Sequence, residues 1–281
     1  MIADIRALLA RHLPGHEVRS VVRLCQGLDN VVYEVDGELI VRGAKVADGD
    51  ATRREAALLA AVRAISPLPV PEVVFTDPEA AVIAYRKLPG RPLNLSPVPD
   101  PGRLAEPLGA FLSALHAAPA DGLAELAPPD HYPAPTLLQD AGQDYRDVES
   151  HVPEEHRPLV EAFLRAPVPA ETDTVRFCHN DLGAEHLLAD PETGLLTGVI
   201  DWTDAALTDP AHDFARIYRD LGPEVFEATA AHYDGGLGED DRARVRFYAR
   251  CALIEDLAYG VSTGPRHYAD AALAHLVRTF S

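Results

Sequence analysis

Phe177-Cys178-His179-Asn180-Asp181-Leu182-Gly183-Ala184-Glu185-His186-Leu187-Leu188, followed shortly by Gly198-Val199-Ile200-Asp201-Trp202, alternates apolar runs with isolated acids. The pattern is an apolar strand entering a polar loop, a short returning strand, and a third strand that ends in an acid. It predicts Asp181 and Asp201 at two loop mouths on one edge of a small sheet. Phosphoryl transfer needs such a pair. One carboxylate positions an acceptor hydroxyl and takes its proton, and the other holds Mg²⁺ against the β- and γ-phosphates. A magnesium ion also keeps water and further polar ligands in an octahedral shell. His186, five residues after Asp181, is placed for that shell or for support beside it. His179 reads as structural, holding the loop by hydrogen bonds. Trp202 reads as core packing.

His179, Asp181, His186 and the Val-Ile-Asp-Trp run, in that order and between apolar strands, resemble the signature of the aminoglycoside phosphotransferases and their relatives. The His-Asn-Asp-Leu wording is closest to the 2″-aminoglycoside phosphotransferases, and macrolide phosphotransferases resemble it at the histidine. The resemblance runs from Leu24 to the C-terminal helices. It implies an α+β, bilobal, protein-kinase-like fold. The expected division is a strand-rich nucleotide-binding lobe over residues 1–87 and a larger, mostly helical catalytic and substrate-binding lobe over 88–281. The expected reaction transfers the γ-phosphate of ATP or GTP, with Mg²⁺, to an alcohol. Asp181 is the expected catalytic residue, with Asp201 and His186 at the metal. Many relatives carry Asn at position 186, and imidazole is a poorer Mg²⁺ ligand than an oxygen.

Working towards the N-terminus, strands are predicted over Val18–Leu24, Val31–Val35 and Leu39–Arg42, with Asp36-Gly37 as a hairpin turn. A helix over Thr52–Ile65 is stopped by Pro67, Pro69 and Pro71, and two short strands follow at Val73–Phe75 and Ala80–Tyr85. The resemblance places a loop over the phosphates at Gln26–Asn30, with Gly27 its only glycine. It also asks for a cation paired with a helix acid. Glu55 matches the acid. Arg42 stands where relatives have lysine, with Lys45 as the alternative, and Arg and Lys are not equivalent donors. Tyr85–Leu93 resembles the hinge, where the Arg86 carbonyl and the Leu88 amide would read the purine base.

Towards the C-terminus, helices are predicted over Leu104–His116, Leu137–His151, Pro158–Leu164 and most of the chain after Pro210. Asp209-Pro210 reads as a helix start, and Asp209 and Asp213 as braces for the catalytic loop. Acceptor contacts are expected from Asp204 and from Glu255, Asp256 and Tyr259 on one amphipathic helix. An ordinary solvated acidic face is the alternative for that cluster.

The 281 residues carry 25 basic and 44 acidic side chains, a net charge of −19. That balance opposes general nucleic-acid binding, which needs cations for phosphates, and suits steering of a cationic small molecule. No apolar run is long enough to span a bilayer. The start of the chain lacks the pattern of a secretory signal. Cys25, Cys178 and Cys251 are far apart and read as free thiols. The expectation is a cytoplasmic enzyme, monomer or homodimer, acting on an aminoglycoside. Antibiotic resistance would be a cellular consequence of that activity. A kinase for macrolides or another small metabolite, and a nucleotide-binding pseudokinase, are the rivals. The pseudokinase is opposed by the presence of both Asp181 and Asp201.

Overall fold

The computed structural model describes residues 2–26, 30–262 and 264–281, with side chains from residue 5 onward and without those of residues 25 and 26. After α1 (Ile2–His12), strands β1 (Val21–Gln26), β2 (Asn30–Val35) and β3 (Leu39–Ala44) lead into α2 (Gly49–Ile65), then β4 (Val73–Asp77) and β5 (Val82–Arg86). These five strands form one antiparallel sheet in the order β1-β2-β3-β5-β4. Asp36 and Gly37 both take positive φ, 55° and 75°, the backbone that lets a two-residue turn match the twist of its strands. Alternation along β3 assigns its two faces. Leu39 and Val41 join Ile5, Leu9, Val31, Tyr33, Val35 and Phe75 in a core beneath α1. Arg42 points the other way, towards α2, whose first turn is capped by the Asp48 carboxylate accepting the Asp50 and Ala51 amides.

Beyond β5 the chain enters the two-residue β6 (Arg91–Pro92), then α3 (Ala105–His116), α4 (Ala134–Val148) and α5 (Arg157–Arg165). Next come β7 (Arg176–Cys178), β8 (Leu187–Ala189), β9 (Leu196–Val199) and β10 (Ala206–Thr208), then α6 (Ala211–Leu221), α7 (Pro223–Ala231), α8 (Glu239–Ser262) and α9 (His267–Phe280). The expected single small sheet is in fact two. β7 pairs with β10, and β8 pairs with β6 and β9. Asp181 and Asp201 therefore leave separate ladders, and the Ile200 amide bonded to the His186 carbonyl, 3.0 Å, holds the two loops together. β6 and β10 are too short to show a period in the sequence, which is why the pairing was not legible.

α6, α8 and α9 pack together, with α4 against α8 and α3 against α7. Their large core includes Phe111, Phe177, Phe214, Phe226 and Trp202, and reaches up to Leu58, Leu59 and Val62 on α2 and Ile83 on β5. At β9, a side chain on Gly198 would strike Leu88, so the residue just past β5 is seated against the catalytic strands. Cys178 and Cys251 are free and buried. Among the described residues no helix is long and apolar enough to cross a membrane.

Candidate active site

The loop after β7 is held from behind. His179 is fully buried. Its Nε2–H donates to the Ile200 carbonyl at 3.0 Å, and Nδ1 accepts the Asp181 amide at 3.3 Å. Those partners require the neutral ring, and burial pushes its pKa below the ordinary value. Asp213, fully buried on α6, accepts the His179 and Asn180 amides at 3.1 and 2.7 Å. Its Oδ2 also takes His116 Nε2–H at 3.1 Å, and the other ring nitrogen of His116 meets the Tyr233 hydroxyl at 3.0 Å. Asp209 accepts the Ala211 amide and receives Arg244 and Tyr248, so it ties the start of α6 to α8, and of the two expected braces it is Asp213 that holds the loop. Helix α6 begins at Ala211, one position later than Pro210 at its first turn would give. Asn180 and Asp201 both hold positive φ, 66° and 60°, in the left-handed region that few residues other than Gly, Asn and Asp tolerate. Trp202 lies in the core against Phe177 and His179.

In front of this brace stand the acids. His186 sits between them, with Nδ1 3.4 Å from Asp181 Oδ2 and Nε2 3.8 Å from Asp201 Oδ2. Nδ1–H also donates to the Asp181 carbonyl at 2.8 Å. Burial would lower the His186 pKa, but Asp181, Asp201 and Glu185 together hold it above the ordinary value. Burial would raise Asp181, yet Arg216 and then His186 keep it below the usual carboxylate range. Arg216 Nε lies 3.2 Å from Asp181 Oδ1. Asp201 is likewise raised by burial and held low by His186, the Thr203 hydroxyl at 2.6 Å and Arg42.

Arg42 crosses the cleft. It pairs with Glu55, its Nη1 donates to the Thr203 hydroxyl at 2.8 Å, and the same nitrogen is 3.6 Å from Asp201. Lys45 is exposed, just past the end of β3. Arg86 ends β5, with its amide on the Glu72 carbonyl at 2.9 Å and its guanidinium 3.5 Å from the Glu72 carboxylate. The expected phosphate loop with Gly27 lies outside the described residues.

A cleft of about 1040 Å³ opens in front of Asp181 and Asp201. Its walls carry Asp204, Glu255, Asp256 and Tyr259, together with Asp130, Glu185 and Tyr268. Asp204 is exposed, and its pKa is raised by the surrounding protein and then by Asp181 and Asp201. Asp256 differs from the free substrate carboxylate that was expected, because its Oδ2 is 2.7 Å from Arg219 Nη1. Glu255 also borders a second pocket of about 460 Å³, where Tyr132, Leu137, Ala141 and Ala252 stand beside Asp140, Asp144 and the stacked pair His212–Tyr248.

The sequence profile of the phosphotransferase enzyme family matches residues 20–248. The chain belongs to this family. It is a phosphotransferase of kinase-like α+β fold. An aminoglycoside 2'-phosphotransferase-IIIa in its GDP complex superposes with a TM-score of 0.76 at 22% identity, over 99% of this chain and 97% of that one. Macrolide 2'-phosphotransferase MphH from Brachybacterium faecium superposes at 0.65 with 26% identity, over 97% of each chain. The uncharacterized protein YcbJ of Bacillus subtilis (strain 168) is 38% identical over 56 residues, and the match spans 20% of this chain and 18% of that protein.

Within this phosphotransferase the structure gathers Arg42, Glu55, Asp181, His186, Asp201 and Asp204 around one cleft. It also adds residues the sequence reading missed. Arg216 is one helical turn after Asp213, a spacing that shares a face and was a usable signal. Tyr268 comes from α9 to donate to Glu185 at 2.9 Å, and no local pattern announces that contact.

Proposed function

We propose that the protein transfers the γ-phosphate of ATP or GTP to a hydroxyl of an amine-bearing sugar of the aminoglycoside class, using Asp181 as the catalytic carboxylate. The observation that carries this is one array across one cleft: Asp181–His186–Asp201 on the helical side, and Arg42–Glu55 opposite, bridged to Asp201 through Thr203. Residues 1–87 serve as the nucleotide lobe, with the Arg86 carbonyl and the Leu88 amide facing the base and Arg42 or Lys45 facing the phosphates. Glu55 orients Arg42. Asp181, held ionised by Arg216 and His186, accepts the acceptor hydroxyl and directs its lone pair at phosphorus.

Asp201 fits a hard divalent cation, being an ionised carboxylate nearly half exposed to the cleft. His186 fits less well as a ligand. Its Nδ1 proton is spent on the Asp181 carbonyl and its raised pKa favours the charged ring, so it suits the part of a donor between two carboxylates. Mg²⁺, when bound, would neutralise charge on the phosphates.

For the acceptor, Asp130, Glu185, Asp204 and Glu255 give the cleft an excess of carboxylates suited to ammonium groups. Solved relatives include a kanamycin complex of an enzyme described as APH(2")-IIIa, 22% identical to this chain. A macrolide acceptor is the second reading, supported by the part-apolar wall of Leu137, Ala141, Ala215 and Ala252 beside Glu255.

The test is nucleoside diphosphate release by the purified protein with Mg²⁺, ATP or GTP, and a panel of aminoglycosides, macrolides and simple alcohols. Aminoglycoside-dependent turnover that falls about 10³-fold in Asp181→Asn supports the reading. Turnover with macrolides alone moves the assignment to the second reading. Turnover undiminished in Asp181→Asn removes the catalytic role.

A further inference from the structure

Two arginines sit three residues apart on α6, and their surroundings differ. Arg219 is buried and set against two carboxylates. Its Nε and Nη2 donate to Asp220 at 2.6 and 3.0 Å, and Nη1 lies 2.7 Å from Asp256. Arg216 is one-fifth exposed, on the wall shared by the cleft and the smaller pocket. It is paired with Asp181 Oδ1, yet among the described residues its Nη groups have no hydrogen-bond acceptor. Arg219 spends its charge on two carboxylates, Asp220 and Asp256, whereas Arg216 has one, and its remaining donors stand at the cleft wall where an anionic oxygen can take them.

We propose that Arg216 is a catalytic residue that grips the phosphoryl group during transfer, an inference that rests on the function proposed above. The charge count of the cleft calls for it. Asp181, Glu185, Asp201, Asp204 and Glu255 all border the place where a triphosphate must arrive. On the nucleotide side Arg42 is committed to Glu55 and Thr203. On the acceptor side Arg219 is committed to Asp220 and Asp256, while Arg216 faces Asp181 alone and keeps its Nη donors for an incoming group. Its fork is rigid and planar, so with Nε turned to Asp181 its Nη edge projects beside the hydroxyl that Asp181 holds. Reacting atoms in a near-attack arrangement are about 3–3.5 Å apart, which brings the phosphoryl oxygens within reach of that edge.

The step balances as follows. The acceptor oxygen forms a bond to the γ-phosphorus while the bond from that phosphorus to the β,γ-bridging oxygen breaks. The electron pair of the broken bond leaves on the nucleoside diphosphate. The hydroxyl proton passes to Asp181 and then to water. Arg216 meets the charge on the equatorial oxygens, where a well-placed arginine is worth about 10³–10⁵ in rate.

The experiment compares Arg216→Gln, Arg216→Lys and Arg216→Ala with wild type and with Asp181→Asn. The expected result for Arg216→Gln is a kcat lower by about 10³ with KM values for nucleotide and acceptor within threefold. Guanidinium ion should restore at least tenfold to Arg216→Ala. Inhibition by nucleoside diphosphate plus fluoroaluminate should weaken at least tenfold in Arg216→Gln but stay unchanged in Asp181→Asn. That last contrast separates a grip on phosphorus from an effect exerted through Asp181. Should Arg216→Gln melt early, Arg216→Lys and the guanidinium rescue carry the same comparison. Turnover lost in Asp181→Asn but kept within threefold in Arg216→Gln overturns the proposal and leaves the kinase reading standing. Equal fluoroaluminate inhibition of Arg216→Gln and wild type also overturns it. No acceptor-dependent turnover by wild type removes the reading, and the proposal with it.

Discussion

Behind Asp181, donors and acceptors are matched and dry. His179 spends both ring nitrogens on the backbone, and Asp213 takes two amides and His116. In front of it, partners are shared and open to water. Asp201 is divided among His186, Thr203 and Arg42, and Arg42 itself reaches from Glu55 to Thr203 across the cleft. The buried side cannot re-pair without leaving a charge or an amide unsatisfied, so it fixes where the Asp181 carboxylate stands. The front side can exchange partners at modest cost, as a site must when a triphosphate enters. Rigidity and exchange are thus assigned to opposite faces of one loop.

The strongest way to break this comparison is from the rear. Asp213→Ala leaves two loop amides and His116 without their acceptor. Loss of one member of a buried pair of this kind costs about 3–5 kcal/mol, which denaturant unfolding would show directly. A loss below about 1 kcal/mol would mean that the loop is not clamped from behind. At the front, Arg42→Met breaks a mostly buried pair that keeps one edge on the cleft, and should cost about 1.5–3 kcal/mol of stability, less than the rear clamp. Its effect should be on the nucleotide, with kcat/KM for the triphosphate down about 10–100-fold at roughly 1.4 kcal/mol per tenfold. Arg42→Lys should recover only part of this, because one ammonium does not span Glu55 and Thr203 as the fork does. Thr203→Val removes a hydroxyl shared by Arg42 and Asp201, both of which keep other partners, and should cost about two- to tenfold in the same parameter. Equal losses for Thr203→Val and Arg42→Met would show the front to be as rigid as the rear.

The same division explains what the sequence disclosed. Asp181, Asp201 and Glu55 lie in local patterns, an acid after an apolar strand or on the face of a helix, and could be found by reading along the chain. The hairpin at Asp36-Gly37 and the body of α2 were legible for the same reason, although the helix begins at Gly49, three residues before Thr52, behind the Asp48 cap. The pairing of β7 with β10 was not, since three-residue strands carry no period. Asp256 looked like a free carboxylate because its partner, Arg219, comes from another helix. Arg216 stayed hidden because its meaning depends on which face of α6 meets the catalytic loop. His186 was read as either ligand or support, and its place between two carboxylates follows only once both loops are folded.

The smallest expected effect is a pH dependence set by the buried rear. Burial lowers the pKa of His179 and His212, and takes His275 on α9 down to about 4, helped by Arg278 nearby. In the unfolded chain these rings titrate near 6.5. Between that value and their lower native ones the unfolded state binds protons that the native state refuses, so stability falls as pH falls. His186 has the opposite sign. Its raised pKa gives stability that is fully present below about 6.5 and is lost as pH rises through the higher native value. Among these histidines three groups against one favour a loss of stability from pH 7 to pH 5, opposed towards the acid end by the raised carboxyls of Glu185, Asp204 and Asp256. His275 Nδ1 is 3.9 Å from Asp220, away from the transfer site, so His275→Gln isolates one contribution. The variant should flatten the loss by no more than about 2 kcal/mol, read from urea midpoints at the two pH values. An unchanged slope would mean that His275 binds protons equally in the native and unfolded states, and a steeper one that Asp220, whose carboxyl is held down at about 2 by Arg219, raises the His275 pKa instead.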